Sequence, residues 1–256
     1  MSIDLTKFEW GAPFDGDAAG ALGNLRDRLS ALQLAQIVHG RRVILLLDGW
    51  PGSGRKTALR HIVGSLDPCH VSTATIPFAG DDEDGRHWMA PYWSSLPEVG
   101  KTTIFYPGWY RRMAELRLDG RIDDKQFARI CDEINEFEAQ QRDHGTLIVK
   151  MFFHVDAERQ AEALRERQED RWRYHLQTRS GMASPGQRDE VIDILNDIFA
   201  QTDTRWAPWF VVDGNEATTA SICAKEMLVA AMEKAMPKEP PVDGETVIPF
   251  RQSRAG

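Results

Sequence analysis

The chain has 256 residues, 42% of them hydrophobic and 27% charged, with a formal net charge of -8. This is the balance of a globular protein with a sizeable core: no apolar run reaches the roughly 18 residues of a membrane span, and the acidic charge counts against a dedicated nucleic-acid binder. The opening MSIDLTKFEWGAPFDGD lacks a basic region followed by an apolar stretch, and Cys69, Cys131 and Cys223 have no CxxC spacing, so reduced thiols in a cytoplasmic protein are expected.

Residues 1–17 read as an N-terminal arm, extended or loosely docked. Leu22, Leu25, Leu29, Leu32 and Ile37 recur at helical spacing over residues 18–39, and Gly40 stops that helix. Residues 43–47 are a continuous apolar run, the pattern of a central parallel strand covered on both faces. A helix over 55–66, a strand over 71–76, an acidic loop over 79–85, a Trp-rich helix over 86–95 and a strand over 102–106 follow, the last ended by Pro107-Gly108. Phe127, Ile130, Ile134 and Phe137 mark an amphipathic helix within 123–140, and residues 147–155 are a further apolar strand. Residues 156–174 are highly charged and helical in pattern. Beyond the flexible SGMASPG come a helix to about residue 200, a strand over 209–212 and a helix over 215–236, then a Pro-rich tail, 237–256, that reads as disordered. Strands alternating with helices imply an α/β fold with a parallel sheet covered on both faces, its ligands at the strand C-terminal ends. One domain over 18–236 is expected.

The most informative stretch is VILLLDGWPGSGRKTALRHI, residues 43–62. A strand, a turn with Gly49, Gly52 and Gly54, and a basic helix start would converge backbone N–H groups and a helix dipole on one point, which stabilises a phosphate. Ser53 lies within the turn, and Lys56 and Thr57 follow it. The spelling departs from the usual one, which places Lys and then Ser or Thr directly after the last Gly. Here Arg55 takes the Lys position and Lys56 the hydroxyl position, and a slip of one residue would restore Lys56-Thr57 at the cost of the Gly spacing. Asp48, at the strand end, is either a metal organiser or a loop-stabilising acceptor of backbone hydrogen bonds. Arg165, Arg167, Arg171 and Arg173, with Trp172, Tyr174 and His175, form a basic-aromatic cluster that reads either as an anion clamp or as a solvated helix face. Arg111 and Arg112 lie close to the expected site in such a fold, though an exposed helix start explains them equally well, and Trp88, Trp93, Trp109, Trp206 and Trp209 read as packing residues.

Taken together these segments resemble the polyphosphate kinase 2 family, phosphotransferases with a P-loop. The resemblance runs from about residue 25 to residue 235 through five blocks in order: the loop above, similar to a family FEGRDAAGKGGTIKRI, then HWMAPYWSSLP, GKTTIFYPGWYRR, EINEFEAQQRDHGTLIVKMFFHVDAERQAEALRER and TDTRWAPWFVVDGNE. It implies a three-layer P-loop kinase-like fold with a helical lid over about 169–187. It also implies phosphoryl transfer between inorganic polyphosphate and nucleoside mono- or diphosphates, dependence on Mg²⁺, a homo-oligomer, and neither nucleic acid nor membrane as partner. By the same resemblance Arg55 and Asp48 are the catalytic residues, with Asp48 also the metal ligand. Gly49, Gly52, Ser53, Gly54, Lys56 and Thr57 hold phosphate, and Arg171, Arg173 and His175 belong to the lid. The family's acidic loop residue falls at Pro51, its third-strand Asp at Tyr106, the Arg after that at Pro107, the Arg of its Trp-rich helix near Pro91, and a lid Trp-Lys pair at His175-Leu176. Asp48 is then the best substitute for the lost carboxylates, and Asp213 a weaker one. Two other readings stay open: a catalytically degenerate protein that binds an anion, a nucleotide or a partner, and a small-molecule kinase using Lys56-Thr57.

Overall fold

In the computed structural model the described residues are 3–76, 87–172, 175 and 184–241. Five parallel strands form one sheet in the order β2-β3-β1-β4-β5, with β1 at Arg42–Gly49, β2 at Val71–Ala74, β3 at Thr102–Phe105, β4 at Thr146–His154 and β5 at Trp209–Asp213. The central strand β1 is buried along nearly its whole length, and its side chains alternate between faces. Val43, Leu45 and Leu47 pack under helices α1 (Ala18–Val38), α2 (Arg55–Val63) and α8 (Ala217–Ala235). Ile44 and Leu46 pack under α4 (Trp109–Leu118), α5 (Asp124–Asp143) and α7 (Arg188–Thr202). Helix α3 is a single turn, Ala90–Trp93, and α6 spans Ala157–Glu169 above the strand ends. The chain therefore has the expected three-layer α/β architecture.

Three local departures have physical causes. The helix α4 was foreseen only as a start at Arg111 and Arg112; its sequence WYRRMAELRL buries Trp109, Tyr110, Met113, Ala114, Glu115 and Leu118, a broad face that includes a charged residue and so blurs the apolar stripe. The Trp-rich helix shrinks to Ala90–Trp93, because Trp88 and Met89 form a turn leading into it. The arm is not loose. Residues Leu5–Phe8 form a 3-10 turn with Leu5 only 3% exposed, and the Trp10 and Gly11 N–H groups both donate to Asp213 Oδ2, at 2.7 and 2.9 Å. That docking also answers for Asp213, whose Oδ1 accepts from the backbone and side chain of Asn215. Both its oxygens are committed to the arm and the turn, so it is not a spare metal carboxylate.

The face under α4, α5 and α7 contains a buried ion pair that periodicity does not announce. Lys150 on β4 and Glu138 on α5 lie 2.9 Å apart with both side chains 0% exposed. Glu138 also accepts from the Trp109 indole and the Tyr110 hydroxyl, at 3.2 and 2.6 Å, while Lys150 donates to the Thr202 carbonyl at 2.7 Å. Burial raises the Glu138 carboxyl and lowers the Lys150 ammonium, each opposed by the partner's charge. Removing one member leaves an uncompensated charge in the core, which typically costs about 3–5 kcal/mol. Lys150→Met is expected to lower unfolding stability by about that amount in urea titrations.

Candidate phosphate-binding site

The loop between β1 and α2 lies where a parallel sheet places its ligands, at the C-terminal end of the central strand with β3 and β4 on either side. Gly49 closes β1, paired with Phe153. Gly52 (φ 83°) and Gly54 (φ 71°) take left-handed backbone conformations that residues with a side chain rarely adopt, and a Cβ on Gly52 would collide with Ala163 of α6. Gly54 is the N-cap of α2 and supplies no side-chain cap, so the N–H groups of Arg55 and Lys56 at the start of that nine-residue helix face an external acceptor. Thr57 is bound back to the Gly54 carbonyl through its N–H at 2.8 Å, and Lys56 is exposed beside it. Asp48 and Gly49 at the end of β1, Gly52, Ser53 and Gly54 in the loop, and Arg55, Lys56 and Thr57 at the start of α2 thus form one continuous junction.

Several polar atoms here are buried without a protein partner: Asp48 Oδ2, Ser53 Oγ and Arg55 Nη1. Buried polar atoms are ordinarily satisfied, so three orphans in one loop indicate where a polar ligand belongs. Asp48 continues the Ile44, Leu46 side of β1, and its Oδ1 accepts from the Gly108 N–H at 3.1 Å. The close approach requires glycine at 108, since a Cβ there would stand 2.7 Å from Asp48 Oδ2. Burial raises the Asp48 carboxyl above its ordinary value; the positive charges of Arg55 and Arg111 and the Gly108 hydrogen bond oppose this. The adjoining cavity, about 10 Å³ and lined by Tyr110, Arg111, Phe152 and Trp209, has room for no more than a water.

Of the two readings of Arg111, the exposed helix start does not hold. Its side chain is 13% exposed, its Nε donates to Glu115 Oε1 at 2.8 Å, and its charge acts on Asp48. Arg112 donates to the Trp88 carbonyl at 3.2 Å. The only advance signal was two arginines directly after a strand and its turn. Arg55 lies over the ring of Tyr106, 4.8 Å from its centroid. Two positions that depart from the expected pattern therefore touch: where a Lys and an Asp were to lie, an Arg stacks on a Tyr. At the lid, the exposed Arg171 rests 5.6 Å from the Trp172 ring centroid and the His175 N–H bonds the Trp172 carbonyl at 3.3 Å. Arg173 and most of 169–187 lie outside the described residues, as does the tail beyond residue 241.

The comparisons with known proteins agree with this geometry. The family profile described as "Polyphosphate kinase 2 (PPK2)" matches residues 15–240. The chain belongs to the polyphosphate kinase 2 family. A polyphosphate:AMP phosphotransferase from Pseudomonas syringae pv. tomato is 25% identical over 239 residues, covering 93% of this chain and 46% of its own. An AMP/ADP-polyphosphate phosphotransferase from Meiothermus ruber is 23% identical, covering 90% and 85%. The crystal structure of polyphosphate kinase 2 from Arthrobacter aurescens TC1 superposes with a TM-score of 0.83 at 25% identity, over 95% of this chain and 88% of that one. The chain spans about half the length of the Pseudomonas relative. No helix among the described residues is long and apolar enough to cross a membrane.

As a polyphosphate kinase 2 relative, the chain is poor in metal-binding carboxylates. Among the described residues no three or more His, Cys, Asp or Glu side chains group as a metal cage. Mg²⁺, however, keeps several waters and needs only one or two carboxylates plus substrate phosphates. By donor count the unpartnered Asp48 Oδ2 meets that smaller requirement, while the cavity beside it holds no more than a water. A buried carboxyl with a raised pKa contributes most stability below its unfolded value of about 4 and loses it as pH rises through the folded one. Asp48→Asn, which keeps the Gly108 hydrogen bond, is expected to raise the Tm at about pH 7 by about 2–4 °C, with a smaller gain near pH 4, read by calorimetry.

Proposed function

We propose that this chain transfers phosphoryl groups between inorganic polyphosphate and nucleoside mono- or diphosphates, with the β1–α2 loop as the anion cradle. The observation that carries this reading is the coincidence of an uncapped helix start with three orphaned polar atoms, Asp48 Oδ2, Ser53 Oγ and Arg55 Nη1. The N–H groups of the first turn of α2 hold a phosphate of the donor or acceptor, Arg55 and Lys56 neutralise it, and Gly49, Gly52 and Gly54 let the backbone approach closely. Asp48 is the residue to hold Mg²⁺, which when bound supplies neutralisation of the charge that builds on the transferred group. Arg171, Arg173 and His175 of the lid close over the donor, and the assembly is a homo-oligomer.

In the direction of nucleotide synthesis, a terminal P–O bond of polyphosphate breaks and a new P–O bond forms to an oxygen of the nucleotide's terminal phosphate. That oxygen is largely ionised at neutral pH, because the second phosphate pKa is about 6, so the step needs no general base. Positioning and electrostatics are the whole of the protein's task, which suits a site with one carboxylate and several cations.

A second reading, a degenerate member that only binds, is favoured by the Arg55–Tyr106 stack, which replaces a charge-handling pair with a packing contact. Purified protein incubated with polyphosphate, Mg²⁺ and each nucleoside mono- or diphosphate separates the two. Phosphorylated product is expected, and Arg55→Ala is expected to lower its rate by about 10²-fold, the usual cost of one lost electrostatic contact. Nucleotide binding that Mg²⁺ does not strengthen, with no product in any mixture, selects the second reading.

A further inference from the structure

Trp50 follows Gly49 at the entrance of the loop and is 0% exposed, although nothing in a phosphate cradle calls for an indole there. Its backbone N–H donates to the Phe153 carbonyl at 3.1 Å, and its Nε1–H donates to His154 Nδ1 at 2.9 Å. An imidazole nitrogen that accepts carries no proton, so neutral His154 bears its proton on Nε2. That nitrogen lies 2.9 Å from Glu9 Oε1, which accepts from it. The Arg188 guanidinium covers the indole face 4.6 Å from the ring centroid and comes within 3.7 Å of the same Glu9 oxygen. The arm that brings Glu9 is held on both sides: Leu5 is buried in the core, and Trp10 and Gly11 are bound to Asp213 at the end of β5. The relay thus runs from residue 9, through β4, to the first residue after β1, over a sequence separation of 145 between Glu9 and His154.

We infer that Glu9 is a positioning residue for the phosphate loop, acting through His154 and Trp50 to fix the backbone on which Ser53, Gly54 and Arg55 are presented. The inference rests on the β1–α2 loop being the anion site. Trp50 links the relay to that backbone directly, since its carbonyl accepts from the Ser53 N–H at 3.3 Å. The relay requires a neutral imidazole: a proton on Nδ1 would face the Trp50 N–H, two donors opposed. The groups around His154 divide on this point. Burial and Arg188 hold its pKa below the ordinary value, against Glu9 and Asp213, which favour the charged form.

The test compares Glu9→Ala, which deletes the acceptor, with Glu9→Gln, which keeps one. Glu9 lies on a partly exposed arm, so neither change threatens the core. Two readouts are taken on the full chain: hydrogen exchange of the Trp50 and Ser53 amides, and affinity for inorganic tripolyphosphate. In Glu9→Ala both amides are expected to exchange about tenfold faster while those of β4 do not change, the effect of one lost hydrogen bond, and the affinity is expected to fall about tenfold. Glu9→Gln should restore most of both. Unchanged Trp50 and Ser53 exchange in Glu9→Ala, or an equal acceleration throughout the protein, overturns the relay, as does faster loop exchange with undiminished affinity. If the unaltered protein binds no tripolyphosphate, the phosphate-site reading has failed, and the exchange pattern still decides whether Glu9 holds the loop.

Discussion

The contact between Lys150 and Glu138 is the constraint on which the rest of the molecule turns. Two opposite charges, both fully withdrawn from water, are tolerable only when each is paired and hydrogen-bonded, and the five residues of this cluster come from four elements. Glu138 brings α5, Lys150 brings β4, Trp109 and Tyr110 bring the start of α4, and Thr202 brings the end of α7. Thr202 in turn accepts from the Trp209 indole through its hydroxyl, which adds β5. Apolar packing alone would tolerate small slides between these pieces, whereas a buried charge cluster punishes them. The position of α4 matters most for function, because Gly108 immediately precedes it and places its N–H on Asp48.

The functional loop is built on that frame with little redundancy. Its backbone is held from one side by Gly108 and Asp48, from the other by Trp50 and His154, and from above by α6 at Ala163. What remains unsatisfied is concentrated in Asp48 Oδ2, Ser53 Oγ and Arg55 Nη1. A fold would ordinarily eliminate such costs, and here they coincide with a helix start that has no side-chain cap, the combination that makes this loop the candidate anion site. The Arg55–Tyr106 stack gives this member of the polyphosphate kinase 2 family a character of its own. The two replacements meet in one contact, the Arg55 guanidinium 4.8 Å from the Tyr106 ring centroid.

Much of this was legible in the order of residues. Apolar runs such as 43–47 and, around Lys150, 147–155 have the length and pattern of buried parallel strands, and three glycines between a strand and a basic helix mark a tight turn that reads as an anion site. Those are local properties, decided within a few residues by sterics and by the period of burial. The five blocks of family resemblance added the three-layer P-loop kinase-like architecture and the class of chemistry, while the order of the strands came from the fold. The departures at Pro51, Tyr106 and Pro107 were visible at the same level, as two missing carboxylates and a missing arginine.

Tertiary structure decided what depends on residues far apart in the chain. Nothing near Lys150 indicates that its charge is buried against Glu138, because a lysine inside an apolar run reads as an interruption until its partner is located. Asp213 looked like a spare carboxylate until the arm's N–H groups were found on it, and Arg111 looked exposed until Glu115 and Asp48 were found around it. Glu9, His154, Trp50 and Arg188 gave no shared signal, since pairing at such separations leaves no periodicity to read. The order of residues made most strands and helices readable, together with a candidate loop for a phosphate, because short-range sterics and burial period govern those. Only the folded chain decided which charges are committed to structure and which are left over for chemistry, because that depends on the partner each one meets.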